Sequence, residues 1–304
     1  MRAACADAFN ISICRNDPAI RISDFMFPEK YGIVERTAKY LYLDFSTGKG
    51  NDMKKIIINL LLLFFIGVLA YSGYQLYGIF SEYYKGRSEY KKTSEQFVRR
   101  KDSSGTGSSQ EEYETAPIDV DFESLLKENP DVAGWIYCPD TVVDYPVMHG
   151  EDNDLYLHHL VNKEYNFAGC IFEDYRNTRG QKDPATILYG HHMKDGSMFA
   201  MLHKYTEQEY YDEHPTMWYL TPTQNYRLDI IMGYVAGEKD PVYALFQTPQ
   251  EMREYLHGVE EKSTFEPDKK YDLDTLNNVI VLSTCAYEFQ NARYLLVAVP
   301  IPIH

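Results

Sequence analysis

Between Ile56 and Phe80 the chain carries no charged side chain, and Ile56 to Ala70 is apolar except for Asn59. Lipid offers no partner to a backbone amide, so a run of this kind entering a bilayer must satisfy its own hydrogen bonds as a helix. About 20 residues cover the hydrocarbon layer. The stretch supplies them if Tyr71, Tyr74 and Tyr77 sit at the interface as aromatic anchors. A buried core helix would show a polar stripe, and none is visible. A cleaved signal peptide would end near the small residues Ala70 and Ser72, yet apolar character continues to Phe80. The expectation is an uncleaved signal-anchor over residues 53–80. Lys54 and Lys55 flank its N-side, but Lys85, Arg87, Lys91 and Lys92 flank its C-side, so charge alone does not orient it.

Residues 1–52 differ in character from the remainder of the chain. Met53-Lys-Lys before an apolar run is how a bacterial signal-anchor begins. Gly48-Lys-Gly-Asn-Asp52 back-translates to a purine-rich stretch resembling a ribosome-binding site. The expectation is that residues 1–52 are an upstream extension and that native translation starts at Met53; a genuine cytoplasmic tail is the alternative.

Charge divides the rest. Residues 81–101 carry seven basic and three acidic side chains, and residues 102–304 carry more than the whole net charge of −15. Such an acidic domain repels phosphate backbones, which excludes nucleic acid as a partner. Residues 81–117 read as a juxtamembrane segment, helical over Ser81 to Gln96, followed by a tether. Within it Asp102 to Glu112 is too polar to order itself. The catalytic domain is expected over residues 118–304. Of five cysteines, Cys5 and Cys14 fall in the extension. Cys138, Cys170 and Cys285 remain, an odd number with no C-x-x-C pair, so one thiol at least is unpaired. Cys138 and Cys170 lie among apolar residues and read as packed thiols.

From Gly134 short strand-like runs dominate: 134–137, 142–147, 169–172, 186–189, 217–220, 226–235, 279–284 and 293–299. Turn residues separate them, and eight short strands predict a closed or nearly closed barrel. Helical patches interrupt the series. Asp121 to Asn129 has a cap, apolar spacing and a Pro130 stop; Ser197 to His203 and Glu207 to Glu213 are shorter; Thr248 to Lys262 is longer. The fold class is mainly β with peripheral helices.

Three strand ends carry chemistry. Asn278 to Cys285 delivers a thiol, Arg293 opens the next strand, and Ala185 to Gly190 delivers His191 and His192. A thiol is a nucleophile only as thiolate and needs a base or cation beside it. An imidazole can hold and return the proton. A guanidinium can hold a substrate carbonyl or the oxyanion that forms on attack. Spacing alone leaves open which histidine acts, and a strand-end cysteine is more often a packed thiol than a nucleophile.

Leu282-Ser-Thr-Cys285 followed by Arg293 resembles the T-L-x-T-C…R signature of sortases, the membrane-anchored cysteine transpeptidases of Gram-positive surfaces. Tyr189 to Phe199, Asn129 to Tyr137, Val143 to Val147, Asp152 to His159 and Ile171 to Asn177 resemble class B sortases, in the family's order from about Ile118 to Val299. Val281 stands where the motif usually has threonine, and His192 where asparagine is more frequent. The resemblance implies the eight-stranded sortase barrel with N-terminal helices. It makes Cys285 the nucleophile, His191 the acid/base and Arg293 the oxyanion or substrate clamp. It also implies an extracellular catalytic domain on a single-pass bacterial membrane anchor, with no cofactor. The family reaction cleaves the sorting signal of a surface protein through a thioacyl intermediate, then transfers the acyl group to a cell-wall precursor amine or, in pilus assembly, to a pilin lysine. The expectation is an enzyme and not its substrate, because the sequence closes on Val-Pro-Ile-Pro-Ile-His304 without a sorting-signal pattern.

Ser283, Thr284 and Tyr287 flank the nucleophile and are candidate substrate contacts, with a plain strand role as the alternative for the first two. The segment that recognises the peptide is expected within Glu238 to Lys262. A metal site at His158, His159, Asp152 and Asp154 is disfavoured, because the family resemblance makes these a structural turn. An L,D-transpeptidase would hold its histidine and cysteine in one short run, unlike His191 and Cys285. A non-catalytic binding domain on the same scaffold is the remaining rival. Class B resemblance implies an Asn-Pro-x-Thr-Asn-like or Pro-x-Thr-Gly-like pentapeptide as the substrate motif.

Overall fold

The computed structural model describes residues 51–101, 115–180 and 183–303. Residues 1–50 of the expected extension, with Cys5 and Cys14, lie outside the described residues, as does the polar stretch from Asp102 to Glu112.

The uncharged run is helical. Helix α1 spans Asn51–Phe97 without interruption. Among the described residues it is the one helix long and apolar enough to cross a membrane, and none of its apolar window is buried. Of the described residues, 51–83 fall in one compact unit, and Tyr84 onward in another with the barrel. In that second unit α1 is amphipathic. Tyr90, Thr93 and Phe97 are buried. The Tyr90 hydroxyl donates to the Gly169 carbonyl, and its ring meets Tyr145 edge-on at 5.2 Å. The chain then forms β1 (Val98–Arg100), which pairs antiparallel with β2 (Ile118–Val120) across the polar stretch.

Helix α2 (Phe122–Glu128) comes next, with the Asp121 carboxylate accepting from Ser124 N at 3.0 Å as its N-cap. Eight strands then build the barrel: β3 (Val132–Tyr137), β4 (Asp144–Met148), β5 (Ile171–Glu173), β6 (Ala185–Tyr189), β7 (Thr216–Leu220), β8 (Asn225–Gly237), β9 (Val279–Cys285) and β10 (Ala292–Ile303). Its order is β10-β8-β7-β3-β4-β5-β6-β9, closed. The β4–β5 and β6–β9 pairs are parallel and the others antiparallel. Closure gives every strand of the barrel a neighbour on both sides over part of its length. The expected mainly-β, eight-stranded closed barrel is the fold observed, each predicted run overlapping one strand.

Element ends shift where turn chemistry misleads. β10 runs past Val299 through Pro300 and Pro302 to Ile303. Its pairing with β9 ends at Ala298, while pairing with β8 continues to Ile303. Each proline therefore lies where β10 has one neighbour only, and a ring that cannot donate is tolerated at such an edge. Between β6 and β7 the helical patches are a 3₁₀ segment, Ala200–Thr206, and helix α3 (Gln208–Glu213). Between β8 and β9 lie a 3₁₀ turn, Pro241–Ala244, and helix α4 (Pro249–Val259). Thr248 caps α4, and Met252, Leu256 and Val259 form its buried face.

Candidate active site

β9 is β-branched and aliphatic up to Leu282 and buried along its whole length, because it has neighbours on both sides: β6 in parallel and β10 antiparallel. Its register positions the chemistry. Cys285 is the direct cross-strand partner of Arg293, and directly opposed residues present their side chains on the same face. Ser283, two residues earlier, shares that face by strand periodicity, while Thr284 points the other way.

On the other side Tyr189 pairs with Ser283. The chain leaves β6 at Gly190, whose N–H donates to Ser283 O at 3.1 Å. The Thr284 hydroxyl donates to Gly190 O at 2.9 Å. A Cβ on Gly190 would lie 2.5 Å from Ile171 Cδ1 and 2.6 Å from the Phe199 ring, so glycine alone fits this exit. The register thus carries His191 past the end of β6 on the strand beside Cys285. Cys285, His191 and Arg293, expected from sequence to share a site, come from the ends of three consecutive barrel strands. All three are buried, with relative exposures of 5%, 9% and 4%.

The His191 ring is held by its Nε2, 2.9 Å from the Leu157 carbonyl. A carbonyl only accepts, so Nε2 carries the proton and Nδ1 is the basic nitrogen of the neutral ring. His158 stands 6.0 Å away, ring to ring. His192 is engaged differently: its Nδ1 donates to the Cys285 carbonyl at 2.7 Å. The Tyr287 ring packs edge-on against it at 5.0 Å, and His203 lies 5.9 Å away. Burial pushes the His192 imidazole below its ordinary value, despite the upward pull of that carbonyl. His158 is lowered for the same reason.

Of the flanking candidates, Ser283 and Thr284 are buried and Tyr287 is 57% exposed on the β9–β10 turn. Ser283 Oγ lies 2.9 Å from the hydroxyl of Tyr243. Burial, first, keeps the Tyr243 phenol protonated well above its ordinary value; Ser283 opposes this. Tyr243 stands over the thiol's face of β9 and was not singled out by sequence. The sequence placed it only inside the segment Glu238 to Lys262 expected to recognise the peptide, where Asp240 caps the turn by accepting from Val242 N at 3.1 Å. A tyrosine chosen from 27 needs the fold to identify it.

Among the described residues no three His, Cys, Asp or Glu side chains converge as metal ligands. Asp152 instead closes a turn, accepting from Asp154 N and Leu155 N at 2.9 and 2.8 Å. Cys138 and Cys170 are buried free thiols, each pushed up to about 12 by burial and so kept as neutral packing groups.

No family model matches the chain. Curated relatives do. The chain is 39% identical over 170 residues to sortase B of Listeria monocytogenes, covering 55% of this chain and 68% of that one. It is 29% identical over 249 residues to sortase B of Staphylococcus aureus, covering 81% and 97%. Among solved structures, the S. aureus sortase B–substrate complex superposes with a TM-score of 0.55 at 33% identity, covering 60% of this chain and 85% of that one. Fold and relatives together define a cysteine transpeptidase. With that identity and coverage, the chain belongs to the sortase B family.

Proposed function

We propose that this transpeptidase cleaves the sorting signal of a surface protein and joins the new carboxyl end to an amine of a cell-wall precursor. The observation that carries the reading is the strand register, which supports a shared site for Cys285, His191 and Arg293. Cys285 Sγ passes its proton to Nδ1 of His191 and, as thiolate, attacks the threonine carbonyl of the signal. Arg293 donates to the oxygen on which negative charge develops. The C–N bond then breaks, the leaving amine takes a proton from His191, and a thioester remains on Cys285. The acceptor amine attacks that thioester, His191 removes its proton, and the new amide forms as the thiolate departs. Tyr243 and Ser283 are substrate-positioning groups on the same face. The S. aureus relative has been solved as a sortase B–substrate complex, which supports an analogous peptide cleft in this chain.

Residues 56–80 anchor the enzyme in the membrane with the barrel outside the cell. Class resemblance favours a wall-precursor amine over a pilin lysine as acceptor.

The test is cleavage of fluorogenic Asn-Pro-x-Thr-Asn and Pro-x-Thr-Gly peptides by the detergent-solubilised chain, with and without an amine acceptor. Turnover that disappears in Cys285→Ala is the expected outcome. Equal turnover in Cys285→Ala would remove the nucleophile assignment.

A further inference from the structure

Two segments from distant parts of the chain reach the residues beside Cys285, and the proposed peptide cleft would have them as its walls. One is the Pro241–Ala244 turn, whose Tyr243 hydroxyl meets Ser283. The other is the segment from Asn153 to Leu157, whose last carbonyl holds His191. Neither wall is a barrel strand, so neither is fixed by the sheet. Both are fastened to one ion pair.

Asp174 comes directly after β5, and its side chain is fully buried. Its carboxylate accepts from Arg176 Nε at 2.8 Å and Nη2 at 2.7 Å, a bidentate fork. It also accepts from the Arg176 backbone N–H, the Tyr189 hydroxyl and Asn153 Nδ2, at 3.0, 2.9 and 3.2 Å. Asn153 returns the contact by accepting from Tyr175 N at 3.0 Å. That holds the wall carrying Leu157. Arg176 Nη2, having bonded the carboxylate, donates again to the carbonyl of Tyr243 at 2.9 Å. That holds the opposite wall, and the Tyr189 ring stacks on Tyr243 at 6.2 Å and 20°.

Resting on the proposed transpeptidase function, we propose that Arg176 is a positioning residue for substrate recognition: through Asp174 and the Tyr243 carbonyl it ties the two walls together and sets the fit of the cleft to the sorting peptide. It touches neither Cys285 nor the scissile bond in this scheme. An arginine suits the role because one planar fork can bond a carboxylate and a carbonyl at once. A lysine is a single point of charge and cannot reproduce that geometry.

The test uses the full chain in detergent and the best-cleaved member of the peptide panel. In Arg176→Met, KM should rise about tenfold, the scale of one charge-assisted hydrogen bond, with kcat little changed. The rate at which iodoacetamide alkylates Cys285, and its pH profile, should stay as in the parent. Arg176→Lys should restore thermal stability but not KM. In a Tyr243→Phe background, where the hydroxyl contact to Ser283 is already lost, Arg176→Met should add little. Peptide affinity measured on Cys285→Ala, with and without Arg176→Met, reads the same effect without turnover. Unchanged KM in Arg176→Met, full rescue by lysine, or strictly additive losses with Tyr243→Phe would each overturn the proposal while leaving the enzyme reading intact. A parent chain that neither binds nor cleaves any peptide would overturn both.

Discussion

Two adjacent histidines receive different partners from one glycine. Because Gly190 ends β6 against Ser283 and Thr284, His191 turns to the Leu157 carbonyl and His192 to the Cys285 carbonyl. Replacing His191 by alanine should lower kcat by roughly 10²- to 10⁴-fold, the usual worth of general acid–base catalysis. His192→Ala removes one hydrogen bond worth about 1 kcal/mol, and kcat should fall less than tenfold. Steady-state peptide cleavage by both variants checks the order, and a dead His192→Ala beside an active His191→Ala would reverse the assignment. At this scale the sequence was most readable at strand ends, where the register sets β6, β9 and β10 side by side. Cys285, His191 and Arg293 each terminate or open an apolar run, so their convergence needed only a register. Tyr243 and Arg176 lie in irregular segments, where no period announces a neighbour. Their partners, Ser283 and Asp174, are 40 and 2 positions away and give no pattern to read.

Elements were legible in proportion to their periodicity. β9 and α2 fall within a residue of where alternation and capping place them, and α4 ends at Val259 with a 3₁₀ turn completing the expected run to Lys262. β10 extends further because its prolines face a side the sheet has vacated. The docking of Tyr84 to Phe97 on the barrel was not legible, since Tyr90 and Phe97 sit among charged residues that read as a solvated helix. That docking makes a prediction. Tyr90→Ala deletes a buried ring and its hydrogen bond to Gly169, and should cost about 3–5 kcal/mol. Differential scanning calorimetry should show this as a fall in Tm of about 2–4 °C per kcal/mol. At the exit of β6, Gly190→Ala forces a Cβ into Ile171 and Phe199 and should destabilise by about 1–3 kcal/mol. Because His191 is the next residue, peptide turnover should drop in Gly190→Ala even at temperatures where circular dichroism shows an intact barrel.

For the molecule as a whole, acid should act in two stages. His158 and His192 are held below the ordinary imidazole value of 6.5 by burial, so the unfolded chain binds more protons just under that pH. Their contribution to stability is whole above about pH 6.5 and is lost as pH falls from there toward their folded values. Asp174 and Asp229 behave differently. Burial pushes each carboxyl up, but the donors of Arg176, and of Arg227, Lys269 and Tyr271, outweigh it and leave both below 3.8. Their contribution is whole above 3.8 and is lost as pH falls through their folded values. Tm measured from pH 8 to pH 3 should therefore step down first below 6.5 and again below 3.8, and His192→Asn should flatten the first step alone. At the same scale, alkaline carbonate should leave the intact chain in the membrane pellet and release a variant lacking residues 56–80. Release of the intact chain would contradict an anchor.

The ladder between β1 and β2 changes what the polar stretch after Lys101 can do. Lys101 N donates to Pro117 O at 2.9 Å, and Arg100 faces Ile118 across the pair. The two ends of residues 102–116 are therefore pinned together, so the length of the stretch does not set the separation of β1 and β2. Doubling or halving its length should leave peptide turnover by the solubilised chain unchanged.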